Sequence, residues 1–382
     1  MSDESKAVSL KARMGREATV AAVRAKMSAM QSELEVLAEA IGRPLHFMEI
    51  CGTHTVNACR SGVHSLMPKS VVLVSGPGCP VCVTAQRYID ALIALVRRDG
   101  VILTTYGDMM RVAGAGGSLE LARSEGSDIR MVTSTMEALE IARLNPEREV
   151  VFAAVGFETT TPATAAAIIA AKKEGVRNFS VLPCHKLVIP AMMTLLADPS
   201  IQIDGFLCPG HVSVIIGSAV YEAVVEQYHK PCVISGFEAM QIMEGIIHLA
   251  RQVREGEGRL ENLYPEAVSD EGNAIAKSMV EEVFEPGDSA WRALGVMKES
   301  GLDVRKEYGE FDAFRKFDLA LGEDHEPAGC RCGEVITGRC DPTDCKLFGT
   351  VCTPIYPIGP CMVSSEGSCQ AWFKYRRNEM KS

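Results

Sequence analysis

The sequence predicts an α/β protein: two doubly wound lobes of parallel sheet followed by a cysteine-rich region. Three observations predict it. Short β-rich runs alternate with longer helical patterns about eight times between residues 44 and 254, and such alternation folds into parallel sheet covered by helices. The chain has 382 residues, 47% of them hydrophobic and 23% charged, enough for two or three domains. Seven of its fourteen cysteines crowd between Cys330 and Cys369.

Residues 1–43 carry Val20, Val23, Met27, Met30 and Leu34 at spacings of three and four, a helical periodicity. This segment is expected to pack on the third domain. Residues 44–147 form the expected first lobe, with strand-like runs LHFMEI, SVVLVS, VILTTY and IRMVTS. Residues 148–254 form the second, with EVVFAAVG, FSVLPC, IDGFLCPG and PCVISG. Right-handed crossovers would wind each set into one lobe. GFE follows a strand at residues 156–158 and again at 236–238, a weak internal echo. Beyond residue 255 the β rhythm stops, and residues 255–382 read as a helical and cysteine-rich third domain.

Composition narrows the function. Lys and Arg total 39 against 49 Asp and Glu, a formal charge of −10, which argues against nucleic acid as a main partner. The basic stretch FKYRRNEMKS reads as a solvated terminus. No apolar run reaches the roughly 18 residues of a membrane span. The start, MSDESKAVSLKARMGREATV, lacks the apolar region of a secretory signal. A cytoplasmic location is therefore expected. Thiols stay reduced there, so fourteen cysteines point to metal or redox chemistry.

In open parallel sheets the loops after the strands' carboxyl ends share one edge, and ligands bind there. The distinctive residues fall in those loops. CGTHT holds Cys51 and His54; a thiol beside an imidazole can be oriented or protonated by it, and a capped helix with a buried cysteine is the plainer alternative. GPGCPVC sets Cys79 and Cys82 two residues apart where a strand feeds a helix. That spacing suits a reversible disulfide or half a metal site, with the helix dipole favouring thiolate. GFETTTP places Glu158 and Thr159 to Thr161 at a helix start, either as caps or as groups that polarise a ligand. LPCHKL, CPGHVS and SGFEA add His185, Lys186 and His211 to the same expected cleft.

The crowded cysteines are Cys330, Cys332, Cys340, Cys345, Cys352, Cys361 and Cys369. Structural zinc usually takes paired C-x-x-C knuckles or histidines, and none occurs within this segment. Irregular spacing with many thiols fits a 4Fe–4S cluster better. Zinc, and thiol–disulfide chemistry without metal, remain open on spacing alone.

Taken together, CGTHT, GPGCPVC, GFETT, PGHVS and the run from CRCG through DCKLFGTVCTP to GPCMVSSEGSC resemble the HypD family of NiFe-hydrogenase maturation proteins, from about residue 45 to residue 375. The resemblance implies two Rossmann-like lobes plus an iron–sulfur domain. It implies a scaffold that, with the chaperone HypC, assembles an iron atom carrying one CO and two cyanides. HypE supplies the cyanide with the help of HypF, and the finished unit passes to the hydrogenase large subunit. By resemblance Cys51 anchors the iron, shared with a HypC thiol and with His54 beside it; a thiolate suits such a soft metal. Cys79 and Cys82 would relay electrons or protect Cys51. Cys330, Cys345, Cys352 and Cys369 would hold the 4Fe–4S cluster, in an arrangement similar to ferredoxin:thioredoxin reductase, with Cys332 and Cys361 the adjacent redox pair. Cys340 lies outside that pattern. Such a protein is a metal-centre assembly factor with redox activity rather than a conventional turnover enzyme. The alternatives are a cluster-dependent thiol–disulfide oxidoreductase and a zinc-stapled binding module.

Overall fold

The computed structural model describes residues 3–377. The side chain of Val20 and the last five residues of the basic tail lie outside the described residues. Eight expected strands are present: β1 Leu45–Glu49, β2 Val71–Ser75, β3 Val101–Thr105, β4 Ile129–Met131, β5 Glu149–Gly156, β6 Phe179–His185, β7 Gly205–Pro209 and β8 Cys232–Ser235. Most are apolar on both faces because helices cover both sides, whereas the edge strand β4 leaves Met131 exposed. β5 and β6 bury nearly every residue.

The strands do not divide between residues 147 and 148 as the order of the motifs predicts. One parallel sheet runs β2-β1-β7-β8-β9, where β9 is Leu260–Asn262; the other runs β4-β3-β5-β6. The chain builds two strands of the first sheet, completes the second, then returns to finish the first. Periodicity reads each strand but carries no information on which neighbour it pairs with, so the lobe boundaries at 44–147 and 148–254 are corrected. In the first sheet the winding reverses between β1 and β7, and in the second between β3 and β5. These are the switch points at which open α/β sheets bind ligands.

Two further expectations are corrected. The helix Asp3–Ile41 packs on the helix Ala239–Glu255 and the first sheet, not on the third domain. Met30, Leu34, Leu37 and Ala38 bury against Phe47, Leu45 and Ile246, and Arg251 pairs with Glu33. The β rhythm also resumes past residue 255. Besides β9, an antiparallel hairpin pairs β10 Phe284–Trp291 with β11 Gly295–Val304. Its register shifts between Gly287 and Ser289, and that irregularity, with Pro286 and several charged residues, hides the alternation in the sequence.

The core is shared. One apolar cluster joins Cys79, Cys82 and Leu92 to Val151 and Leu182 of the second sheet and to Cys332, Cys352, Cys361 and Cys369. The cysteine-rich segment therefore packs into the seam between the sheets rather than around a separate core. Among the described residues no helix is long and apolar enough to cross a membrane.

Candidate functional site

Cys51 follows β1 in an extended conformation and immediately precedes the helix Gly52–Ser61. It is 8% exposed, so it is buried without being sealed, and its surroundings are polar. Burial pushes the thiol up to about 11; the amides of His54 and Thr53 and the Thr53 hydroxyl pull the other way, and Glu366 adds to the rise. Thr53 donates to Glu366 at 2.8 Å, which ties this turn to the cysteine-rich segment. His54 is fully buried, with Nε2 3.0 Å from the Gly236 carbonyl. A carbonyl only accepts, so Nε2 carries the proton and Nδ1 keeps a lone pair; Nδ1 has no partner. Burial lowers His54 to about 4, so the ring is neutral at neutral pH. Phe237 lies 4.7 Å from His54 and stacks on His211 at 3.9 Å. The loops after β1, β7 and β8 thus meet at the first sheet's switch point.

Cys79 caps the one-turn helix Pro80–Val83. Cys79 and Cys82 are joined in a disulfide with Cα atoms 5.2 Å apart. Gly78 brings this turn against Cys51: a Cβ there would lie 2.5 Å from the Cys51 Cα, and Gly78 O accepts from Gly52 N at 3.2 Å. On its other side the Pro80–Val83 helix touches the helices Cys332–Ile336 and Pro360–Val363. The hairpin reaches the same place. Arg292 N donates to Val83 O at 2.8 Å, and its nearly fully buried guanidinium donates to Thr84 O at 3.2 Å and pairs with Glu326 at 2.7 Å. Arg292 carries no signal in the sequence, because the hairpin that holds it lacks strand alternation.

Six of the seven crowded cysteines line one small pocket with Leu347, Phe348 and Met362: Cys330, Cys332, Cys345, Cys352, Cys361 and Cys369. Cys340 is not among them. Contact with Cys361 and then burial raise the Cys332 thiol, while Arg292 lowers it. A Cβ on Gly359 would meet Cys330 Sγ at 2.6 Å, so the glycine makes room for sulfur. Among the described residues no three His, Cys, Asp or Glu side chains converge as ligands of a single metal ion. The donor set does suit a four-iron cluster, which takes four thiolates spread over the corners of a cube.

Glu158 lies elsewhere on the seam. Its Oε1 accepts from Val188 N at 2.9 Å while Oε2 is buried without a partner. Burial raises the carboxyl to about 7, against the pull of the Val188 amide. Thr160 and Thr161 both donate to Phe157 O at 3.1 Å, so these hydroxyls serve the turn. His185 lies against Phe284 and within 3.4 Å of Thr164. Lys186 is fully buried, donates to Ser289 and sits 4.5 Å from the Tyr88 ring; burial lowers it to about 8. The expected single cleft is therefore two places: Cys51, His54 and His211 on one sheet edge, Glu158, His185 and Lys186 on the other. Glu49, which reads in the sequence as an ordinary strand residue, is buried, 4.0 Å from His64, and burial raises it to about 7.

A sequence profile described as "Hydrogenase formation hypA family" (HypD) matches residues 25–376. The hydrogenase maturation factor HypD2 of Bradyrhizobium diazoefficiens is 49% identical over 344 residues, 88% of this chain and 90% of that protein. The hydrogenase maturation factor HypD of Escherichia coli is 42% identical over 341 residues, 89% of this chain and 91% of that protein. An archaeal relative from Methanocaldococcus jannaschii, named as a putative hydrogenase expression/formation protein, is 43% identical over 345 residues, 90% and 96% of the two chains.

Proposed function

The chain belongs to the HypD family of hydrogenase maturation factors, and from that premise we propose that it is the scaffold on which, with HypC, the iron of the NiFe-hydrogenase active site receives two cyanides and one CO. The iron unit is the cargo and Cys51 is its anchor. The observation that carries this reading is the setting of Cys51: a residue 8% exposed at a sheet switch point, its thiol beside the amides of Thr53 and His54 and the Thr53 hydroxyl. With its pKa at about 11 the free thiol stays protonated at neutral pH and resists oxidation. Coordination to iron removes that proton outright. His54 is neutral and holds its ring fixed through Gly236, so it orients the turn rather than adding charge to it.

Cys330, Cys345, Cys352 and Cys369 would hold a 4Fe–4S cluster, which when bound supplies single electrons. Cys332 and Cys361 form the adjacent thiol pair. Opening the Cys79–Cys82 disulfide takes two electrons and two protons and yields two thiols. The backbone contact between Gly78 and Cys51 supports a role for that pair in serving or guarding the anchor. Glu158 acts as a second ligand-facing group on the seam. HypE, HypF and the hydrogenase large subunit are the remaining partners of this reading, and the cytoplasm its setting.

The test is infrared spectroscopy of the protein co-purified anaerobically with HypC. Cyanide and CO stretching bands are expected for the wild type and lost in Cys51→Ala. Bands at wild-type intensity in that variant overturn the anchor assignment. Glu158→Gln is expected to weaken the bands without loss of iron or acid-labile sulfide. A colourless protein with bound zinc and no labile sulfide would replace the cluster with the zinc-stapled alternative.

A further inference from the structure

We propose that the hollow at the seam beside Glu158 is a binding site for a small neutral molecule that combines a compact apolar body with a carbonyl or amide group. The inference extends the reading of Glu158 as a ligand-facing group and rests on that part of it alone. The hollow has a volume of about 300 Å³ and walls that include Leu187, Ile189, Ile216, Val280, Phe284 and Leu302. That size lies at the lower end of small-molecule sites, which are typically apolar with a few placed polar groups. It stands beside the loop that follows β5, at the second sheet's switch point, where ligands of such sheets bind.

Glu158 is the polar group on this wall with a buried, unpartnered atom. It is 9% exposed, its Oε1 is committed to Val188 N, and its Oε2 is buried with no partner. A buried polar atom left unpaired is destabilising, and a ligand's hydrogen bond would relieve it. Burial favours the protonated carboxyl, whose Oε2–H donates to a carbonyl. The charges at the mouth select against ions. Lys277 donates to Glu271 O, and Arg305 donates to the carbonyls of Glu281 and Phe284 and to Glu285. An anion finds these cations already engaged in hydrogen bonds and meets Glu281. A cation would have to form a buried ion pair, whose desolvation cost is high.

The experiment titrates the full-length protein, as purified anaerobically and without cargo iron or partners, with isovaleramide and separately with isovalerate, following methyl resonances by NMR. Saturable shifts confined to Ile189, Ile215, Ile216 and Leu302 are expected with the amide, and binding at least about tenfold weaker with the carboxylate. Glu158→Leu should weaken amide binding about tenfold. Ile216→Phe, which fills the hollow from a half-buried wall position and leaves Glu158 in place, should abolish the shifts, and it decides the matter if Glu158→Leu fails to fold. The proposal is overturned if the amide gives no saturable shift at these methyls, or if the Ile216 variant binds it as the wild type does. Either failure leaves the Cys51 assignment standing, since that is read from cyanide and CO bands.

Discussion

The edge of the first sheet and the cysteine-rich segment both gather sulfur, and they do so by different physical means. At the sheet edge the backbone decides. Cys51 and Cys79 each stand between a strand and a helix, and Gly78 packs its backbone on that of Cys51. In the cysteine-rich segment the helices Cys332–Ile336, Pro360–Val363 and Ser368–Tyr375 have only five, four and eight residues. Helices this short are marginal by themselves, so the segment is organised by what its side chains pack against, sulfur foremost. A site set by backbone should tolerate loss of a thiol but not an added methyl; a site set by side chains should show the reverse.

The largest effect expected from this contrast is on removing a thiol proposed to bind the cluster, or the iron of that proposed cluster. Cys345→Ser, or anaerobic iron chelation, should raise amide exchange across residues 330–375 by about a hundredfold or more, as expected for local unfolding worth a few kcal/mol. β1, β5 and β6 should keep their protection. Cys51→Ala, by contrast, should leave exchange unchanged in both regions. Equal loss of protection in β5 and the cysteine-rich segment would show that the shared core binds them into one cooperative unit, and the contrast would fail.

Gly78→Ala tests the backbone side. Its Cβ would fall 2.5 Å from the Cys51 Cα and from the Ile50 carbonyl carbon, and backbone atoms cannot rotate away. A cost of about 3 kcal/mol, the upper end for overpacking, is expected in denaturant unfolding, with loss of hydrogenase maturation in cells. A variant that matures hydrogenase normally would mean the two turns need not touch.

How far this was legible in the sequence follows the same division. Strands β1 to β8 and their loop motifs could be read because buried parallel strands are apolar runs ended by turn residues. Cys51, His54, Cys79 and Cys82 could be placed at strand ends for that reason. Pairing order could not, since β7 and β8 look no different from strands of the second sheet. Phe157 and Phe237 illustrate the limit. Both occupy the same place in the GFE echo, yet one packs on Trp291 and the other on His54 and His211. Arg292 and the hairpin were missed because Pro286, Gly287 and the positive φ of Ala293 break the alternation that marks a strand. The gathering of six thiols without Cys340 could not be read from spacing, which does not say which thiols share a pocket.

The second sheet's edge sharpens the comparison through pH. Glu158 binds its proton more tightly folded than unfolded, because burial raises it from about 4.5 to about 7. Its contribution to stability is therefore full below about pH 4.5 and is lost as the pH rises through about 7. The loss amounts to at most about 3 kcal/mol. The charged neighbours Lys277, Glu281 and Arg305 line the same hollow and are unchanged in Glu158→Gln. Chemical unfolding at about pH 5 and about pH 8 should show a flatter profile for the variant than for the wild type. Glu49, raised by burial in the same direction, keeps its share in both proteins, so the difference isolates Glu158. Parallel profiles would mean that water reaches this carboxyl in solution.

The smallest effect should come from Gly359→Ala, the counterpart of Gly78→Ala in the side-chain-built region. Here the added Cβ meets Cys330 Sγ at 2.6 Å and Cys332 Cβ at 3.2 Å. A sulfur can turn about its χ1 where a backbone cannot move, so the strain falls to about 1 kcal/mol. Cys330, however, is one of the thiols assigned to the cluster. The variant should unfold almost as the wild type does and yet lose iron and acid-labile sulfide more readily on anaerobic dilution. Comparing the two alanine variants thus separates geometry held by backbone from geometry held by sulfur: the first should lose global stability and keep its cluster, the second keep global stability and release the cluster more readily, with exchange rising only across residues 330–375 once it is lost. If Gly359→Ala retains the cluster as firmly as the wild type, Cys330 has room to spare and its place among the four ligands must be given to another of the pocket's thiols.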